Sequence, residues 1–283
     1  MRSLQGNIVL ITGAGGGFGQ AMIRQFLQEG CQLVLADLSR DKILQAVEYV
    51  TATPGDRALT GKILGFIAAD LANPVRSEAL YRQCLAITPR VDMLINNAGI
   101  ACFGRLADVP QERWEQLMQI NLLAPMRLTA KFLPDMIARR SGYIVNISSV
   151  AGLIGVPGLS SYCTSKFGLR GFGEALAAEL TPYGIGVTNI YPYFARTPIL
   201  QAERFGSMSL PAPPDQMLYD PEFVIAKLIK GIREQKLHIY PGAIPQLIDC
   251  LQRLAPWALP LVLRPSRSRR KRSAATKNSV KRS

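Results

Sequence analysis

The sequence predicts a doubly wound parallel α/β sheet, and three observations carry that prediction. Short apolar runs alternate with longer amphipathic stretches from residue 7 onward. The runs are hydrophobic almost throughout, not at every second position. A glycine cluster stands between the first run and the first amphipathic stretch. Near-continuous hydrophobicity suits strands covered on both faces, and strand–helix alternation favours a parallel sheet over a barrel or a sandwich.

In order, the strands are read at 7–12 (NIVLIT), 32–37 (QLVLAD), 63–68, 91–95, 143–148 (YIVNIS) and 186–191 (GVTNIY). Helices are read at 18–29, 40–51, 74–87, 110–139 (broken near Pro125), 161–180 and 221–234. Ligands of such sheets sit at the carboxyl ends of the strands. Residues 1–240 make one domain. Within it, 193–220 combine proline, methionine and aromatics without clear periodicity, which reads either as a mobile loop over a site or as a plain surface excursion. Residues 241–263 form an apolar, proline-interrupted appendage, too broken by Asp249 and Arg253 for a membrane span. Residues 264–283 read as a disordered basic tail.

With 283 residues and 48% hydrophobic side chains, the chain can bury a sizeable core. Its five cysteines (Cys31, Cys84, Cys102, Cys163, Cys250) are scattered and none sit at metal-ligand spacing. With no cleavable leader at the start, they point to reduced thiols in a cytoplasmic protein. The single histidine, His238, excludes a histidine-rich zinc site and leaves no base for a Ser-His-Asp hydrolase; it reads as a surface or strand-end residue. The net charge of +13 is unevenly placed: 264–283 hold nine Lys or Arg and no acid, and the remainder is nearly balanced.

The first strand empties into Thr12-Gly13-Ala14-Gly15-Gly16-Gly17-Phe18-Gly19, followed by a helix. Glycines there permit a tight turn and let main-chain N–H groups approach a pyrophosphate at the positive end of that helix. Asp37 closes the second strand. Its carboxylate can accept hydrogen bonds from ribose hydroxyls and repels a 2′-phosphate, so NAD is preferred over NADP, with Arg40 the nearby cation that opposes this preference.

Four separated motifs, TGAGGGFG at 12–19, NNAG at 96–99, Ser149 and Tyr162-x-x-x-Lys166, make the sequence resemble the short-chain dehydrogenase/reductase family over roughly residues 5–200. The resemblance implies a Rossmann-type fold, NAD or NADP as cofactor, and a catalytic group of Asn121, Ser149, Tyr162 and Lys166. In it Tyr162 is the acid/base, Lys166 its partner, Ser149 (with Ser148 the neighbouring competitor) polarises the substrate oxygen, and Asn121 organises a water next to the lysine. Gly13, Gly15, Gly16, Gly17, Phe18 and Gly19 cradle the cofactor; Asp70 and Leu71 meet its adenine. Asn96, Asn97, Ala98 and Gly99 line its channel, and Thr197 touches the carboxamide. The family also implies a homodimer or homotetramer built on the helices at 110–139 and 161–180. One departure stands out: Pro192-Tyr193 replaces the family's Pro-Gly, which puts the local nicotinamide contacts, including that of Thr197, in doubt.

The chemistry fits those residue types. A free tyrosine, with a pKa of about 10, is a poor base near neutrality. Lys166 lies four residues on, on the same helix face, and its charge, joined by that of an oxidised nicotinamide, favours tyrosinate. The expected function is hydride transfer between cofactor and an alcohol or carbonyl carbon. The alternatives are a non-catalytic cofactor-binding sensor or scaffold acting through the tail, and a redox-neutral isomerase or dehydratase. A binder alone has no chemical need for all four residues.

Leu153, Ile154, Val156, Leu159, Phe194, Ile199, Leu200, Phe205 and Met208 are available to wall the pocket, which favours a lipid, steroid or retinoid-like substrate. Leu247, Leu251, Leu254 and Trp257 recur at helix-like intervals ahead of the basic tail, which reads as a peripheral anchor on an anionic membrane or as a helix packed on the subunit. No aromatics interleave the basic residues, so nucleic acid is disfavoured as a partner.

Overall fold

The computed structural model describes residues 3–257 apart from 54, 56 and 209–212. The apolar runs become β1 (Ile8–Thr12), β2 (Gln32–Asp37), β3 (Lys62–Ala68), β4 (Met93–Asn96), β5 (Gly142–Ile147) and β6 (Ile185–Ile190). A two-residue β7 (His238–Ile239) follows them. All pair in parallel in the order β3-β2-β1-β4-β5-β6-β7. The strand order reverses between β1 and β4, and this opens a crevice at their carboxyl ends.

Eight helices among the described residues cover the sheet: α1 (Gly17–Gln28), α2 (Arg40–Ala52), α3 (Pro74–Ile87), α4 (Gln111–Met118), α5 (Ala124–Ala138), α6 (Ser160–Leu180), α7 (Pro221–Arg233) and α8 (Ala243–Leu254). Local chemistry starts several of them. Ser39, Asn73 and Asp220 each accept a main-chain N–H two residues on, and Pro74 and Pro221 open α3 and α7. Val9, Ile11, Leu33, Leu35 and Val145 face α1, α2 and α7 in one core layer. Leu10, Val34, Leu94 and Ile144 meet α3, α5 and α6 in the other. The inner strands β1, β2, β4, β5 and β6 thus bury both faces, which is why their runs are apolar almost throughout, whereas β3 at the edge is only partly buried.

Two expectations need correction. The 110–139 stretch does not break at Pro125. Its irregularity is a π-helical turn at Gln119–Leu123, and Pro125 lies in the first turn of α5. There it has no N–H to give to the Asn121 carbonyl. The sequence reading also lacked β7, because two residues are too short to make a run. Residues 193–220, where described, make two isolated bridges, Phe103 with Arg204 and Ala195 with Tyr219. The described part of the 241–263 appendage contains α8, whose Ile248 and Leu251 pack against the buried cluster of Val150, Leu153, Ile154 and Tyr191. The basic tail lies outside the described residues. No helix among those described is long and apolar enough to cross a membrane.

Candidate active site

One cleft of about 1090 Å³ runs over the carboxyl ends of the strands, from Asp37 and Asp70 at one end to Tyr162, Tyr193 and α8 at the other. At its floor, helix α1 begins with no capping side chain and no acid in its first turn. Its free N–H groups therefore face the cleft as an anion site. Gly13 needs a glycine twice over: its φ is +67°, and a Cβ would lie 2.8 Å from the Ala98 Cα. At Gly17 a Cβ would stand 2.7 Å from Cγ2 of Thr197. This packed, uncapped and acid-free cradle fits a dinucleotide pyrophosphate.

Gly13, Gly15, Gly16, Gly17, Phe18, Asp37, Asp70, Leu71, Asn97, Ala98, Gly99 and Thr197 all line the cleft. Gly19 does not. It lies behind the loop, where a Cβ would be 2.3 Å from the Ala14 carbonyl oxygen, so it serves the packing of α1 on the loop. Asn96 also turns away: its Nδ2 donates to Asn146 Oδ1 at 3.0 Å inside the sheet. Asn97 instead spans the crevice, donating to the carbonyls of Thr12 and Gly13 at 2.9 Å each. Asp37 accepts from Gly15 N–H at 2.9 Å and from Leu38 N–H at 2.8 Å, which fixes its carboxylate beside the glycine loop. Arg40 stacks over Phe66 instead of facing the cleft; the cation there is Lys42, which the sequence reading passed over.

At the other end, Ser149, whose hydroxyl accepts Ala151 N–H at 3.1 Å, lines the cleft together with Tyr162. Ser148 is buried and donates to the Lys166 carbonyl at 3.0 Å, so it is not the competitor it looked to be. The Lys166 ammonium donates to the Ile147 carbonyl at 2.8 Å and stands 5.6 Å from the centre of the Tyr162 ring. Burial pushes Tyr162 up to about 12, partly offset by the Ser149 side chain. Burial brings Lys166 down to about 8. Burial is the largest influence on both groups, and it disfavours the charged form of each.

Asn121 is fully buried and does not reach the cleft. Its Oδ1 accepts Ile100 N–H and its Nδ2 donates to the Ile100 carbonyl, both at 2.9 Å, with Ser165 Oγ a further acceptor at 3.2 Å. It borders the site through Gly99, where a Cβ would lie 3.3 Å from its Oδ1 and 3.6 Å from the Lys166 ammonium.

The apolar wall holds Ile154, Val156, Leu159, Phe194, Ile199 and Leu200, as expected. Leu153 is core, and Phe205 and Met208 lie off the wall. Sequence reasoning missed Ala101 and Phe103; Ile244 and Ile248 add to the wall from the chain's end. Tyr193, where the family has glycine, lines the cleft and packs edge-on against Phe194 at 4.8 Å. Polar groups gather at the rim, where Arg113 of α4 pairs with Glu203.

Residues 7–206 match the short chain dehydrogenase family. The chain is 33% identical over 261 residues to epidermal retinol dehydrogenase 2 of Mus musculus, which covers 90% of this chain and 80% of that protein. It is 32% identical over 257 residues to dehydrogenase/reductase SDR family member 7B of Xenopus tropicalis, covering 89% and 83%. Among solved structures, a short-chain dehydrogenase/reductase from Burkholderia phymatum in complex with NAD aligns with a TM-score of 0.76 at 26% identity, covering 94% of this chain and 98% of that one. A short-chain dehydrogenase from Sphingobium yanoikuyae in complex with NADPH aligns at 0.73 and 27%, covering 93% and 98%. The glycine cradle, the Ser149–Tyr162–Lys166 cluster and these likenesses converge: the chain belongs to the short-chain dehydrogenase/reductase family.

Proposed function

We propose that the chain moves a hydride between a nicotinamide cofactor, NAD by preference, and a hydrophobic secondary alcohol, ketone or aldehyde. The observation that carries this reading is one continuous cleft with an anion cradle at one end and the Ser149–Tyr162–Lys166 cluster among apolar walls at the other. The relatives named for retinol and the NAD- and NADPH-bound neighbours support it.

A bound nicotinamide supplies or accepts the hydride. Tyr162, protonated at neutral pH, is set to give its proton to a carbonyl oxygen and, in reverse, to take one from a hydroxyl. Ser149 holds the same oxygen and steadies the charge that develops there. Asp37 favours ribose hydroxyls over a 2′-phosphate. Exposed Met126 on α5 and Phe167 on α6 suit a homo-oligomer built on those helices, which light scattering reads directly.

The test follows reduced-nicotinamide absorbance for wild type and Tyr162→Phe, with NAD and NADP forms against lipid and small polar alcohols and carbonyls. The expected result is turnover on the lipophilic compounds, lowered about a thousandfold or more in the variant. Cofactor binding without turnover on any compound would return the reading to a sensor or scaffold. Activity confined to sugars or small hydroxy acids would overturn the substrate class.

A further inference from the structure

Helix α8 has two apolar sides with different fates. Ile244 and Ile248 form part of the cleft wall, and Ile248 and Leu251 pack against the buried cluster of Val150, Leu153, Ile154 and Tyr191. At 100° per residue, Leu247 and Leu254 fall on the adjoining flank. They are 59% and 78% exposed, and Trp257, just past the helix, is 73% exposed. Asp249 and Arg253 pair with each other on the remaining face. The apolar arc of α8 is thus wider than the body it packs against, and the excess borders the mouth of the cleft.

We propose that α8 is an interfacial helix whose Leu247, Leu254 and Trp257 dip into an anionic lipid surface, so that the cleft mouth opens onto that surface. Two observations choose the occupant. The sequence that follows α8 holds nine Lys or Arg and no acid between residues 264 and 283, a charge complement to anionic headgroups. The same charge opposes a second copy of the chain seated on this flank, since two like-charged stretches would be brought together. Three exposed side chains also fall far short of the apolar area a stable protein interface needs. Tryptophan at the edge of an amphipathic face is the residue type that settles at headgroup depth. That a lipophilic substrate reaches Tyr162 from the surface past Ile244 and Ile248 rests on the function proposed above; the docking itself does not.

The experiment uses the full chain and sedimentation with vesicles of phosphatidylcholine alone or with about one third phosphatidylserine, at low and at physiological salt. The wild type is compared with the triple variant Leu247→Gln/Leu254→Gln/Trp257→Gln, whose altered side chains line neither cleft nor core, and with a variant in which the basic residues of 264–283 are replaced by glutamine. The expected result is pelleting with the anionic vesicles, reduced about tenfold in either variant, together with a blue shift of tryptophan emission that the triple variant lacks. Equal pelleting of wild type and triple variant would overturn the proposal. So would a wild type that stays in the supernatant, or a triple variant that light scattering shows to have lost an oligomer, which would assign the flank to a second copy. Because none of these readouts requires turnover, a failed docking and a failed hydride-transfer assay are told apart.

Discussion

The Lys166 ammonium donates to the main-chain carbonyl of Ile147 at 2.8 Å, a bond between α6 and the carboxyl end of β5 made in nearly complete burial. The bond anchors the lysine beneath Tyr162 but leaves its charge poorly solvated, which is why burial brings its pKa from 10.5 down to about 8. In the unfolded chain the amine stays protonated to about 10.5. Between those values unfolding takes up a proton, so stability grows as pH rises through the window and is lost as pH falls through about 8. The full shift corresponds to on the order of 3 kcal/mol. Thermal unfolding from pH 7.5 to 9.5 is expected to show a rising midpoint in wild type and a flatter one in Lys166→Met. Parallel curves would assign the effect elsewhere. Above pH 10 the raised Tyr162 acts in the opposite sense, so the comparison ends there.

Tyr162 sets the pH dependence of the chemistry itself. Pushed up to about 12, it is protonated across the neutral range and ready as an acid. Carbonyl reduction is therefore expected to be level from pH 6 to 8, whereas alcohol oxidation rises with pH in the same range, both read from initial rates under saturating cofactor. Oxidation that falls with rising pH would contradict the assignment.

Asn121 closes a two-way hydrogen bond on the main chain of Ile100. Asn121→Ala leaves the Ile100 N–H and C=O without that partner next to the cleft, a loss of about 1–3 kcal/mol. In a chain of this size that lowers the melting temperature by roughly 5 °C, with turnover falling as Gly99 and Ile100 shift. A variant that melts with wild type would show the π turn to be self-sufficient.

Gly17 and Thr197 touch across the cradle. Gly17→Ala is expected to weaken cofactor binding about tenfold or more, because its methyl must displace Thr197. Thr197→Ser removes the Cγ2 that lies 2.7 Å away, so the double variant recovers part of the loss. Additive effects in fluorescence titrations of the four proteins would mean that the contact is not the cause.

Asp37→Ser removes the charge that opposes a 2′-phosphate while Lys42 remains in the cleft. The ratio of kcat/KM for NADPH over NADH is expected to rise about a hundredfold, part of it from weaker NADH binding as Gly15 loses its acceptor. An unchanged ratio would place the discrimination elsewhere.

Most of the sheet was legible because strands buried on both faces advertise themselves as unbroken apolar runs, and the glycine loop was legible because few backbones other than a cradle need that spacing. The NNAG motif was half legible. Two adjacent asparagines look alike in sequence, yet Asn96 lies in register with Asn146 and Asn189 across three strands, while Asn97 alone faces the crevice. The signal was present: YIVNIS and GVTNIY carry asparagine at the same place in their runs. Pro125 misled because a proline marks a missing hydrogen bond without saying which turn has widened to accommodate it. Tyr162 and Ser149 both line the cleft, but the titration of Tyr162 depends on burial, and no spacing of residues reports how much water a fold excludes. Which residues of the chain's end wall the cleft, Ile244 and Ile248, was not legible, because a helix bordering a site from the far end of the chain has no local motif.

The switch from β1 to β4 also has a consequence for how the protein is made. Val9 pairs with Met93 and Ile11 with Ile95, while Thr12 Oγ donates to the Ile95 carbonyl at 3.1 Å. The seam along which the dinucleotide would lie is therefore also the seam between the first three strands and the rest of the sheet. During synthesis β1, β2 and β3 can assemble as a unit, with one edge of β1 bare until β4 leaves the ribosome. Closing that edge is a long-range step expected to be slow. A nucleotide that bridges the seam would stabilise the closed form by mass action, making cofactor supply a determinant of folding yield as well as of catalysis.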